Sequence, residues 1–128
     1  FYYLKAGGCH AGDAEDALKY NMTHNSFEEW LKLAHKNPDY YLEQQHIMPM
    51  MRRIGRREYF DHIGLFENLE EETKKLHSTI YDEVIQEVPI INKSTHKYFK
   101  DCYTEETASI VAELYREDIN LYKELLNA

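Results

Sequence analysis

The sequence has few cysteines, no long apolar run and no glycine-rich phosphate loop, and each absence excludes a class of protein. Its two cysteines, Cys9 and Cys102, are far apart, so there is no C-x-x-C redox motif or cysteine-based zinc knuckle. They could form one disulfide in an oxidising compartment or remain two free thiols. No apolar run approaches the roughly 20 residues that span a bilayer, so the sequence predicts no membrane segment.

Glycine and basic charge are also scarce. The five glycines form no P-loop, no G-x-G-x-x-G and no G-x-S-x-G motif. A net charge of −8 disfavours nucleic acid as a partner. Seven histidines are present, but none lies in an H-x-H, H-x-x-H or H-E-x-x-H motif. We therefore predict no metal site, and a helical metal-dependent enzyme is the least favoured function.

The composition is that of a globular protein, with 43% hydrophobic and 30% charged residues among 128. This length fits a single domain, or part of one, spanning residues 1–128. The chain starts FYYL without an initiator Met, so the sequence does not indicate a compartment. We expect a cytoplasmic location if the protein is bacterial and a location in the Golgi lumen if it is eukaryotic.

Residues 61–76, reading DHIGLFENLEEETKKL, predict a strand that runs directly into a helix. Ile63 to Phe66 suit a buried strand, and the pair Asn68 and Glu71 predicts a capping box. Apolar residues continue at helical spacing, and the helix is expected to end before Pro89. Glu67 would either face a ligand at the end of the strand or only cap the helix.

Three further helices are predicted from capping residues and apolar spacing. Asp13 can cap a helix that ends near Met22, and Ser26 caps another that Asn37-Pro38 stops. Thr104 caps the last helix, which should run to about Leu126. The fold class is therefore α/β and mostly helical, with about four helices and one or two short strands.

Two polar stretches could bind an anion. Residues 52–57 include Arg52 and Arg53, and they could hold a phosphate or sulfate or simply form a solvated face. Residues 92–95 offer an amide, an ammonium group and two hydroxyls, the donors that phosphate oxygens and purine edges require. These residues are Asn92, Lys93, Ser94 and Thr95.

The order of motifs resembles the C-terminal portion of the carbohydrate-type sulfotransferases, which have a P-loop-like fold. A Ser-Phe-Glu-Glu-Trp helix start precedes an H-x-x-P element, His46 to Pro49. F-E-N-L-E-E, N-K-S and Y-T-E-E-T motifs follow in that order, beginning at Phe66, Asn92 and Tyr103. Together these motifs span most of the chain.

The resemblance implies transfer of a sulfuryl group from phosphoadenosine phosphosulfate (PAPS) to a hydroxyl or amine, with a carbohydrate as the expected acceptor. It implies that Asn92, Lys93, Ser94 and Thr95 contact the adenosine 3'-phosphate end of PAPS. His46, Arg52 and Arg53 are the predicted acceptor-binding residues, and no catalytic base is assigned. The main phosphate cradle lies outside the motifs found here, so the chain alone is expected to be inactive.

An alternative from a different class is a non-enzymatic helical domain that binds a protein partner through its tyrosine-rich, acidic surface. A strand without partners in its own chain would favour the sulfotransferase interpretation. A complete helical core without a strand would favour the interaction domain. An exposed strand edge also predicts a homo-oligomer or a strand-swapped dimer.

Overall fold

The computed structural model describes residues 1–85, 87–89 and 98–127, and these residues form helices, turns and loops. Short 3₁₀ turns span Arg57–Tyr59, Phe66–Asn68 and Phe99–Cys102. The α-helices are α1 (Tyr2–Lys5), α2 (Ala11–Lys19), α3 (Phe27–Lys36), α4 (Pro38–Tyr41), α5 (Met50–Ile54), α6 (Leu69–Tyr81), α7 (Glu105–Leu114) and α8 (Arg116–Leu126).

The hydrophobic core lies among α1 to α4, with α7 packed across α3. Trp30 is its largest member, and its indole Nε1 donates a hydrogen bond to the carbonyl oxygen of Tyr20 at 2.9 Å. This bond satisfies a polar group that would otherwise be costly to bury. The other buried members are Leu4, Ala17, Tyr20, Met22, Leu31, Ala34, Tyr41 and Ile110.

Helix α3 begins and ends as its sequence predicts. Ser26 accepts a hydrogen bond from the backbone N–H of Glu29, and the Glu29 carboxylate accepts one from the backbone N–H of Ser26. This reciprocal capping box satisfies two donors at the helix start. The helix ends at Lys36, with Asn37 as its C-cap and Pro38 starting the short helix α4.

The predicted α/β fold class is wrong, because the described residues contain no strand and no sheet. The backbone at Leu65 is extended, with φ −83° and ψ 134°, as a strand would require. Residues 61–65 nevertheless form no hydrogen-bonded ladder with any described segment, and a ladder is what defines a strand. At Phe66 the chain turns into a 3₁₀ turn, which leads into α6.

Helix α6 also departs from the prediction at both ends. The side chain of Asn68 makes no capping hydrogen bond, and the helix ends at Tyr81 rather than just before Pro89. Asp82 stops it by adopting a left-handed conformation with φ 53°. None of its residues is buried, and its apolar positions Leu69, Leu76 and Ile80 are exposed with respect to the described part of the chain.

The last predicted helix is two helices in the structure. Thr104 caps α7 as expected, accepting a hydrogen bond from the backbone N–H of Thr107 at 3.2 Å. The helix is interrupted at Tyr115, whose hydroxyl donates to the carbonyl oxygen of Ile47 at 2.5 Å. Burial, followed by the nearby Asp118, raises the pKa of Tyr115 to about 12. This long-range bond ties the junction of α7 and α8 to the segment before α5.

Cys9 and Cys102 are both free thiols in the structure, which corresponds to one of the two alternatives left open by the sequence. Across the described ranges, no helix combines the length and the apolar character needed to cross a membrane.

Candidate functional site

The candidate site is a polar cavity of about 540 Å³ between the start of α2 and the segment that leads to α5. Two of the residues predicted from sequence to bind the acceptor, His46 and Arg53, line this cavity together. The other lining residues are His10, Gly12, Asp13, Glu15, Asp16 and Gln45. Imidazole, guanidinium and carboxylate groups therefore line one cavity.

Asp13 is the buried centre of the site, with only 5% of its surface exposed. Its Oδ2 atom accepts hydrogen bonds from the backbone N–H groups of Cys9 at 2.9 Å and His10 at 3.0 Å, and from the Tyr3 hydroxyl at 2.8 Å. The bond from His10 is the largest cause, followed by that from Tyr3, of a lowered pKa of about 2. Asp13 is therefore a carboxylate at neutral pH.

A glycine turn brings these donors to Asp13. Gly7 and Gly8 have φ values of +93° and +60°, a left-handed region that favours glycine, and they turn the chain from α1 toward α2. A Cβ atom on Gly8 would lie 2.1 Å from Oδ2 of Asp13. A Cβ atom on Gly7 would meet nothing within 4 Å. Gly8 is therefore required for the close approach of the turn to the carboxylate.

We predict that Gly8→Ala lowers the free energy of unfolding by roughly 2–4 kcal/mol, because it adds a clash with a buried carboxylate to backbone strain. Gly7→Ala is the matched control, and strain alone should cost about 1–2 kcal/mol there. Urea unfolding followed by circular dichroism measures both variants. Equal destabilisation by the two variants would contradict the packing of Gly8 on Asp13.

His46 is held beside Asp13 through both its backbone and its ring. Its Nε2 atom lies 3.5 Å from Oδ1 of Asp13, and its ring centroid lies 5.4 Å from that of Tyr3. The backbone N–H of His46 donates to Oε1 of Gln44 at 2.6 Å. The Gln44 side chain is 2% exposed, and its Nε2 atom donates to Oδ2 of Asp16 at 2.9 Å. A buried amide thus connects the Asp16 carboxylate of α2 to the His46 backbone.

This geometry makes His46 a candidate general base. The Asp13 carboxylate attracts a proton on Nε2, which favours the tautomer with a lone pair on Nδ1. Within the described ranges Nδ1 forms no hydrogen bond, so it is available to a ligand. A distance of 3.5 Å is long for a hydrogen bond, but such bonds often tighten when substrate binds.

The two predicted arginines point into different cavities. Arg53 donates a hydrogen bond to the carbonyl oxygen of Gln45 at the candidate site. Arg52 instead pairs with Asp39 at 2.8 Å and lines a separate cavity of about 420 Å³. Consecutive residues of a helix point in directions about 100° apart, and in this structure α5 directs the two side chains into different cavities. The structure therefore brings together His46 and Arg53, but not Arg52.

The remaining predicted positions lie elsewhere. Asn92, Lys93, Ser94 and Thr95 lie outside the described residues. Glu67 accepts a hydrogen bond from the Tyr122 hydroxyl at 3.1 Å on the exposed side of the 3₁₀ turn before α6. Glu67 follows α5 in the sequence, whereas His46 precedes it, and Glu67 does not line the candidate cavity. Glu67 therefore remains a surface residue in this arrangement.

Sequence reasoning missed the residues that support His46. Tyr3, Cys9, His10, Asp13 and Gln44 were not predicted as site residues. One local signal was available: His10 and Asp13 have capping-box spacing, and the Asp13 carboxylate accepts from the backbone N–H of His10. The helix consequently starts at Ala11, two residues before Asp13, the residue predicted as its cap.

Among the residues that the structure describes, no group of three or more His, Cys, Asp or Glu side chains is arranged to hold a metal ion. Comparison with protein-family models, curated proteins and solved structures found no match to this chain. Its function is therefore inferred from its own residues and from the motifs in its sequence.

Proposed function

We propose that this chain forms the acceptor side of a PAPS-dependent sulfotransferase, with a saccharide hydroxyl or amine as the expected acceptor. One observation carries this proposal: His46 and Arg53, two residues that the sequence motifs suggest for the acceptor, line one cavity with the ionised Asp13. The motif order supports the reaction type, and the cavity supports the assignment of roles.

In the proposed reaction, the acceptor oxygen or nitrogen forms a bond to the sulfur atom of PAPS. The bond between that sulfur and the phosphate oxygen breaks, and adenosine 3',5'-bisphosphate leaves. The acceptor proton passes to Nδ1 of His46, while the Asp13 carboxylate stabilises the imidazolium that forms. Arg53, at the same cavity, can stabilise negative charge on the sulfuryl group during transfer.

The charges favour an acceptor over the donor phosphates in this cavity. Asp13, Glu15 and Asp16 all line it, and three carboxylates would repel a phosphate dianion. Carboxylates accept hydrogen bonds from sugar hydroxyls, and His46 and Arg53 can act as donors to sugar oxygens. The 3'-phosphate of the donor is assigned to Asn92, Lys93, Ser94 and Thr95, as the motif order suggests.

Binding of adenosine 3',5'-bisphosphate tests the donor assignment. We predict that Lys93→Ala lowers the affinity about tenfold or more, since a hydrogen bond from an ammonium group to phosphate contributes about 1.5–3 kcal/mol. Calorimetry on this chain and on the longest form that its gene encodes is the measurement. Lys36→Ala, an exposed lysine at the end of α3, is the matched control. Tight binding that Lys93→Ala leaves unchanged would contradict the assignment.

A helical interaction domain without enzymatic activity is the second candidate. It is favoured by the helical core and by the absence of a strand within the described residues. Incubation with radiolabelled PAPS and a panel of saccharide and amine acceptors separates the two. Transfer of label by the longest encoded form supports the sulfotransferase, and no transfer to any acceptor supports the interaction domain.

A further inference from the structure

Residues 61–64 form a stretch of backbone without hydrogen-bond partners in the described part of the chain. From Asp61 to Gly64, neither the amide nor the carbonyl of any residue hydrogen-bonds to another described residue. The backbone on either side is extended, with φ −118° and ψ 121° at Phe60 and φ −83° and ψ 134° at Leu65. The chain bends at Asp61, and the unpaired donors and acceptors of residues 62–64 beyond this bend are a template for pairing with another strand.

Two open apolar clefts flank this stretch. One, of about 470 Å³, lies toward α5 and α8 and is lined by Ile54, Leu121 and Leu125, among others. The other, of about 260 Å³, lies toward α6 and includes Leu69 and Leu76. Phe66, at the end of the stretch, is 81% exposed. An added strand could therefore bury apolar side chains on both sides as it pairs with the backbone.

Two arginines precede this stretch and two glutamates follow it. Arg56 and Arg57 precede it, and neither forms an ion pair with any residue in the described ranges. Glu70 and Glu71 follow it in the first turn of α6. Glu70 pairs with Lys74 within α6, whereas Glu71 has no such partner among the described side chains. The two arginines and the two glutamates therefore lie on opposite sides of the stretch, with Glu58 and Asp61 offsetting the positive charge on the arginine side.

We propose that residues 61–65 pair with the same residues of a second copy of this chain, antiparallel and around a two-fold axis. In that arrangement the arginines of each copy lie near the glutamates of the other. A parallel pair would place like charges together, which is destabilising. Two-fold symmetry requires a surface that is complementary to itself, and this charge distribution meets that requirement. The inference does not depend on the proposed reaction.

Charge reversal tests this arrangement by sedimentation velocity over a range of concentrations. The variants R56E/R57E and E70K/E71K should each weaken the dimer about tenfold or more, because each puts like charges together at both ends of the pair. The variant R56E/R57E/E70K/E71K should restore dimerisation, because it exchanges the signs and keeps the net charge. K19E/K36E makes the same net change as R56E/R57E at lysines of α2 and α3, and it should leave the dimer unaffected.

Hydrogen exchange gives a second readout that needs no variant. Alternate amides of residues 61–65, those that point toward the partner strand, should exchange slowly at concentrations where the dimer is populated and quickly after dilution to monomer. Circular dichroism of each variant checks that α6 still forms, since lysines in its first turn oppose the helix dipole. A wild-type chain that is monomeric throughout, or charge variants that dimerise like the wild type, would overturn the proposal.

Discussion

His46→Gln is expected to lower the rate of sulfuryl transfer by about 10²- to 10⁴-fold, the usual contribution of a general base. Glutamine keeps a polar side chain of similar length but cannot accept the acceptor proton at neutral pH. Nε2 of His46 lies 3.5 Å from the ionised Asp13, and the ring is packed beside Tyr3. The rate is measured with PAPS and a responsive acceptor in the longest form of the protein that its gene encodes.

His35→Gln is the matched control for this prediction. His35 pairs with Glu113 at 3.0 Å and lines the separate cavity that also contains Arg52. Its replacement should change the rate of transfer less than threefold. If His35→Gln abolished transfer while His46→Gln did not, the acceptor would bind at the Arg52 cavity, and the roles given to His46 and Asp13 would be wrong.

Trp30→Ala is expected to lower the free energy of unfolding by about 3–5 kcal/mol. Trp30 is 2% exposed and contacts the rings of Phe1 and Tyr41, so its loss leaves a cavity where α1, α3 and α4 meet. It also removes the donor to the Tyr20 carbonyl. Domains of this size have a stability of about 5–15 kcal/mol, so the variant should be close to unfolding at 37 °C.

Urea unfolding followed by far-ultraviolet circular dichroism measures this loss. The control is Tyr98→Ala, since Tyr98 is 56% exposed and its loss should change stability by about 0.5 kcal/mol or less. A loss of less than about 1 kcal/mol for Trp30→Ala would mean that α3 is not the centre of the core.

Helix α3 shows what could be predicted from the sequence. Its start depends on a bond between Ser26 and Glu29, and its end depends on the steric effect of Pro38 on Asn37. Both effects act within four residues, so both ends of the helix can be predicted from the local sequence. The Thr104 cap of α7 is local in the same way.

The errors concern features that distant contacts decide. Ile63 to Phe66 have the apolar character of a strand, but whether a short apolar run pairs depends on a partner that no local pattern reveals. The break at Tyr115 coincides with a bond to the carbonyl of Ile47, 68 positions earlier in the chain. The apolar spacing from Val111 to Leu125 continues across it without any signal.

The candidate site was predicted only in part, for the same reason. His46 and Arg53 belong to recognisable local motifs. Their partner Asp13 is 33 positions from His46 and reaches it only because a glycine turn and the buried Gln44 bring α2 to that segment. Arg52 shares a motif with Arg53 but points elsewhere, since residue type does not determine the direction of a side chain.

Helix α6 differs from the other long helices in its burial, because each of the others has at least one buried residue. Because it buries no residue against the described chain, its unfolding would leave the core and the candidate cavity intact. Its free energy of local opening is therefore expected to be well below that of global unfolding, and it forms a separate cooperative unit. A partner that binds its apolar side would shift the population toward the folded helix, without any change at His46.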